Sequence, residues 1–161
     1  MVKKIFFAAL ILWSAQSLLF ANDALQPKTD ILAKDFILLD LENKEASLSN
    51  LKGRSVVLFF WTTWCPFCRK ELKELNGMHA DLKRDGIELL AIDIGEPLDK
   101  VANFVKSSNL AFRVLLDKDM AVAESYGILG VPTYILIDKR GYIVFENHYF
   151  PQKEYKDLIS K

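Results

Sequence analysis

Cys65 and Cys68 are the only cysteines in the 161 residues, and they stand two residues apart in the stretch WTTWCPFC, residues 61–68. Two thiols at this spacing can clip a metal, staple a loop or cycle between dithiol and disulfide. A structural zinc site takes four ligands. Only His79 and His148 remain to complete one, and they are not paired at a finger-like spacing. A covalently held haem calls for histidine directly after the second cysteine, where this chain has Arg69. A purely structural disulfide across so short a loop constrains little of the unfolded chain. The redox reading is favoured over these three. It asks that one sulfur be a thiolate, since only the thiolate attacks a disulfide.

The flanking residues meet that demand. SVVLFFW, residues 55–61, is a continuous apolar run suited to a central strand covered on both faces. A helix follows, with Pro66 in its first turn, where a missing N–H costs nothing. Cys68, Leu72, Leu75, His79 and Leu82 form its apolar stripe. Cys65 is thereby placed between a strand end and a helix N-terminus, whose free N–H groups and dipole favour a thiolate. Lowering its pKa from about 8.5 to about 7 raises the thiolate fraction from roughly 3% to half. Cys68, one turn on, is the sheltered thiol that resolves a mixed disulfide. His79 reads as a half-buried stripe residue, Arg69 and Lys70 as a solvated face, and Trp61 as core.

The rest of the chain alternates strand and helix. Phe36 to Leu39 reads as a short strand and LENKEASLSNLKG as loop and turn. IELLAIDI (87–94) is a buried strand, and Pro97 to Ser107 a helix with Leu98, Val101 and Val105 inward. FRVLL (112–116) is a further strand and Met120 to Tyr126 a short helix. TYILID and YIVFE make a hairpin, and a terminal helix begins near Gln152. The expected architecture is an α/β three-layer sandwich with a mixed sheet.

Ahead of this domain, Lys3 and Lys4 precede an apolar run from Ile5 to Trp13, then polar residues lead to FANDAL. Residues 1–21 have the layout of a signal peptide or an uncleaved N-terminal anchor. Residues 22–34 form a linker and 35–161 the domain. Export favours oxidation of paired thiols. With 21 basic and 21 acidic residues, nothing marks a nucleic-acid-binding surface.

FFWTTWCPFCRKEL resembles the active-site segment of thioredoxin-fold proteins. The chain from about Ala33 to Phe150 resembles the TlpA/ResA-like exported thiol-disulfide oxidoreductases. YGILGVPTYILIDKRGYIV is similar to that group's second signature. The resemblance implies a thioredoxin fold with an N-terminal β extension. It further implies a cis-Pro132 against the cysteine pair, Val131 offering its backbone to an extended substrate, and Trp64 as an apolar wall. Pro132 read without it is a proline at a strand start.

Two departures bear on mechanism. Thioredoxins carry a buried acid where this chain has Phe59. Proteins similar to ResA use a glutamate after the next strand, a place matched by Glu96. That residue is expected to accept the proton of Cys68, its alternative being a helix-cap carboxylate before Pro97. The second departure is Phe67, which brings no polar group to a thiolate.

The implied activity is reduction of protein disulfides, including those of apocytochrome c before haem attachment. It needs no cofactor beyond the Cys65–Cys68 couple. The implied partners are protein thiols or disulfides and a membrane electron-transfer protein, with no nucleic acid and a monomeric chain. The alternatives are a disulfide-donating oxidase, a thiol peroxidase using Cys65 (Thr62 fits, Leu58 does not) and a non-enzymatic binder built around Trp64.

Overall fold

The computed structural model describes residues 31–153 and 155–159. The expected signal or anchor, residues 1–21, lies outside them, as do residues 22–30 of the expected linker.

The element order is β1 (Ile37–Asp40), β2 (Glu45–Ser47), a 3₁₀ turn (Ser49–Leu51), β3 (Ser55–Trp61), α1 (Pro66–Arg84), β4 (Ile87–Ile94), α2 (Leu98–Ser108), β5 (Arg113–Asp117), α3 (Ala121–Ser125), β6 (Thr133–Ile137), β7 (Ile143–Asn147) and α4 (Tyr155–Ile159). Among the described residues the strands form one sheet in the order β2-β1-β5-β4-β3-β6-β7. The central β3, β4 and β5 are parallel, while β6, β7, β1 and β2 join antiparallel. This is the mixed sheet expected from the sequence. The apolar runs at 55–61 and 87–94 became its middle strands because burial on both faces removes any alternation.

Strand pleating divides the core. Val57, Phe59, Trp61, Leu89 and Ala91 face α1, α2 and α4, and share their cluster with Cys65, Cys68, Leu72, Val101 and Tyr155. Val56, Leu58, Phe60, Leu90 and Ile92 face the other way, towards Phe36, Leu38 and α3. Both cysteines therefore belong to the α1 side of the core.

One expected loop holds a strand. β2 lies within LENKEASLSNLKG and pairs with β1 through Ile37↔Ser47, Leu38↔Ala46 and Leu39↔Glu45. Three residues are too few to show a period in sequence. Asp40 fixes the turn instead. Its Oδ1 accepts the N–H groups of Glu42 and Lys44 at 3.0 and 2.8 Å, and its Oδ2 takes both Nε and Nη2 of Arg113. Asn43 turns the chain with φ +59°. Residues 31–34 also pair into the domain: Ala33 N–H donates to Gly141 O, and Ile31 O accepts from Ile143 N–H.

Candidate active site

Trp61 ends β3, and four residues later Cys65 becomes the N-cap of α1 with extended backbone, φ −77° and ψ 114°. Pro66 follows in the first turn. The Cys68 N–H donates to Cys65 Sγ at 3.1 Å, so one of the helix's free amides is aimed at this sulfur. The two cysteines are joined as a disulfide. An N–H donor and the positive end of a 19-residue helix stabilise the Cys65 thiolate when the bond opens.

Cys68 is fully buried, as the sheltered role requires, but Cys65 is only 3% exposed. The contrast expected between an open and a covered sulfur is small, because the disulfide tucks Cys65 into the core beside Val131. Its Sγ lies 3.8 Å from Val131 O. The Val131–Pro132 peptide bond is cis, and the Val131 carbonyl beside Cys65 Sγ is the one that precedes Pro132. Apolar surface flanks the covered disulfide: Trp64 is 63% exposed and Phe67 74%, and Leu129, two residues before Val131, is wholly exposed.

Glu96 reaches this junction from the loop after β4. It is 6% exposed. Its Oε2 accepts the Thr63 N–H at 2.5 Å, and its Oε1 accepts the Thr63 hydroxyl at 2.8 Å and pairs with Lys100 Nζ at 2.6 Å. Burial pushes the Glu96 carboxyl up, but the bonds from Lys100 and Thr63 outweigh it and hold the group below the usual range. Glu96 thus anchors the loop that carries the cysteines. The structure brings Trp64, Cys65, Cys68, Val131 and Pro132 together, with Glu96 one layer behind at Thr63.

Some contributors are not among the residues singled out in the sequence for the site. Arg69, read as a solvated side chain, donates from Nε to Thr63 O at 2.8 Å while its guanidinium lies over Phe104, and so braces the same loop as Glu96. His148 Nδ1 lies 2.7 Å from Pro132 O, tying β7 to the proline loop. Asp93 is a fully buried carboxyl near the end of β4. Burial first, then the adjacent Glu96 carboxylate, pushes it up to about 8. Its signal was legible: it is the single acid on an otherwise apolar inward face of β4. His79 is half-buried with its ring edge on Phe112, as expected of a stripe residue, and Trp61 is core.

Trp64 is 63% exposed, so Trp64→Ala leaves stability within about 0.5 kcal/mol. It is expected to raise KM for a folded or peptide disulfide substrate about tenfold, with little change in kcat. Steady-state turnover beside thermal unfolding checks both.

Residues 31–146 match the AhpC/TSA family. A thiol-disulfide oxidoreductase ResA from Bacillus thuringiensis subsp. konkukian is 40% identical over 114 residues, which cover 71% of this chain and 66% of that protein. The ResA of Geobacillus thermodenitrificans is 38% identical over 109 residues, 68% of this chain and 63% of the relative. The chain thus spans just under two thirds of the length of these relatives. Among solved structures, the thioredoxin domain of a thiol-disulfide oxidoreductase from Bacteroides vulgatus superposes with a TM-score of 0.70 at 27% identity, covering 80% of this chain and 93% of that one. StoA from Bacillus subtilis gives 0.67 at 26% identity, covering 79% and 97%. The fold is the thioredoxin fold.

Proposed function

The chain belongs to the AhpC/TSA family, and from that premise we propose that it is a thiol-disulfide oxidoreductase that reduces protein disulfides through Cys65 and Cys68. The observation that carries this reading is the Cys65–Cys68 disulfide at a helix N-terminus, with Cys68 N–H donating to Cys65 Sγ. Similarity to the ResA oxidoreductases supports it.

In the reductive cycle the Cys65 thiolate attacks a substrate disulfide. A mixed disulfide forms between Cys65 and one substrate sulfur, and the other substrate sulfur leaves with the electron pair. Cys68 then attacks Cys65, releases the second substrate thiol and restores the disulfide found here. Trp64, Phe67 and Leu129 give an apolar seat for the polypeptide around the target cysteine. The backbone of Val131, ahead of Pro132, pairs with it as a short added strand. The couple itself is the redox group, with Glu96 bracing its loop through Thr63. Since Cys65 is bonded to a partner three residues away, the pair rather than a lone peroxidatic cysteine is the reacting unit.

The physiological setting in this reading is outside the cytoplasm. The chain acts there as a monomer, supplied with electrons by a membrane protein, on substrates that include apocytochrome c cysteines awaiting haem. Among the described residues no helix is long and apolar enough to cross a membrane, and residues 1–21 are read as the signal peptide or anchor. The test is catalytic reduction of an oxidised CxxCH peptide by substoichiometric protein and excess dithiol. Turnover well above the dithiol alone supports the reading, and equality with the dithiol alone rejects it.

A further inference from the structure

Buried polar side chains without partners gather at one place. Among the described residues they are Trp61 Nε1, Thr62 Oγ1 and both carboxylate oxygens of Asp93. Trp61 and Asp93 are register partners on the parallel strands β3 and β4, and Thr62 is the next residue along. All three stand at the strand ends that lead into the cysteine loop and the Glu96 loop. Buried polar groups are nearly always satisfied, so such a cluster beneath a reactive pair marks function rather than packing.

Pleating assigns the side. Leu89 and Ala91 share the core cluster of Trp61, Cys65 and Cys68, and Asp93 is the next inward residue of β4. From β3 the group facing it is the Trp61 indole. Cys68 of α1 lies in the same core cluster as Trp61, Leu89 and Ala91. From the loop after β4 the group facing Asp93 is the Glu96 carboxylate, with Lys100 of α2 beyond. β5 sets Leu116 in register beside it. As a carboxylate, Asp93 meets a second carboxylate in Glu96, and burial together with that repulsion outweighs what the Glu96 N–H offers it. As a carboxylic acid, it has a proton to give. Glu96 is held ionised by Lys100 and Thr63, so the proton of this carboxyl pair resides on Asp93.

We propose that Asp93 is the proton store for Cys68. This inference rests on the oxidoreductase reading and deepens it. When a donor thiolate attacks Cys65, the Cys65–Cys68 bond breaks and its electron pair passes to Cys68 sulfur, which is buried away from water. Asp93 gives that sulfur its proton, leaving a Cys68 thiol, an Asp93 carboxylate and a donor–Cys65 disulfide. In the resolving direction Cys68 returns the proton to Asp93 as its sulfur closes on Cys65 and the partner thiolate departs. The donor sulfur is oxidised to the disulfide level as Cys68 is reduced. Asp93 is raised to about 8, into the range where an ordinary thiol titrates, and a small gap in pKa favours proton exchange. Asp93 thereby supplies from β4 the buried acid whose place on β3 is taken by Phe59.

The experiment is stopped-flow reduction of the oxidised full chain by dithiothreitol, followed by tryptophan fluorescence. Rates are divided by the donor's thiolate fraction and plotted from about pH 6 to about pH 10. The native protein is expected to give a constant value up to about pH 8 that falls above it as Asp93 loses its proton. Asp93→Asn is expected to be slower by about a hundredfold at neutral pH, with the fall abolished. An unaltered rate and profile in Asp93→Asn overturns the proposal. Should that variant not fold, the native profile decides: an inflection near pH 8 supports the store, and a flat line overturns it. Dithiothreitol needs no protein-binding surface. Failure to turn over a peptide disulfide beside an intact inflection therefore condemns the substrate reading, while a flat profile beside normal turnover condemns this one.

Discussion

Serine in place of Cys65 should bring catalysed reduction of a protein disulfide down to the rate of the dithiol alone. Removing a covalent nucleophile typically costs on the order of 10⁴-fold or more, and a hydroxyl at this position has no accessible anion. Cys68→Ser should behave differently. Its Cys65 keeps the Pro66 helix start and the amide that donates to Cys65 Sγ. The first attack therefore proceeds and stops at a stable mixed disulfide, visible as substrate mass added to the intact protein. Both variants should fold, since a disulfide spanning three residues restricts the unfolded chain little. Cys65→Ser with residual turnover would show that another group does the chemistry. Cys68→Ser with full multiple turnover would show that an external thiol resolves the intermediate.

Asp93→Asn should make the protein more stable. The unfolded chain ionises this carboxyl near pH 3.8, whereas the folded protein does so only near 8, because burial and then Glu96 disfavour the charge. Its folded pKa is raised. The stability it contributes is therefore intact below about pH 4, and is lost progressively as the pH climbs to about 8. At about 1.4 kcal/mol per pH unit, the penalty at neutral pH is roughly 4 kcal/mol. Asparagine removes the titration and offers Glu96 an N–H donor. Denaturant unfolding should thus show the variant gaining stability over native protein between about pH 4 and 8, with the two converging in acid. A variant equal to or weaker than native at neutral pH would mean that Asp93 is ionised and satisfied in the fold. A group that costs stability at the floor of a reactive site fits a role in the reaction.

What could be seen in the sequence tracks how local the cause is. β3 was legible because double burial writes a nearly continuous apolar run, and β4 because Leu89 to Ile92 is a run of the same kind. The helix after Cys65 was legible because Pro66 starts it and the Leu72–Leu75–Leu82 stripe sustains it. The hairpin of β6 and β7 followed from its Asp-Lys-Arg-Gly turn, in which Asp138 accepts the N–H groups of Arg140 and Tyr142. β2 was hidden because three residues, EAS, carry no pattern of their own and are held by β1.

At the site, the cysteine pair was readable from spacing, and the proline loop from resemblance to a family. The loop braces were not. Glu96 meets Thr63 across 33 residues of sequence, and that contact exists only once β3 and β4 lie side by side. Arg69 looked like solvated charge because its spacing on α1 points outward, yet its side chain folds back to Thr63 O. Asp93, with Glu88 one of two acids in IELLAIDI, is absorbed there into a buried strand. An inward acid in a double-buried strand costs stability unless it is used, and that physical objection was the available signal.

The central claim is that the Cys65–Cys68 couple is a reductant, and its reduction potential tests this most directly. Equilibrating the protein with glutathione or dithiothreitol buffers and measuring the dithiol fraction gives the value. A potential near or below about −250 mV is expected, at which the couple delivers electrons to protein disulfides and must be recharged by a stronger donor. A potential above roughly −150 mV would make the couple a disulfide donor and contradict the direction proposed here.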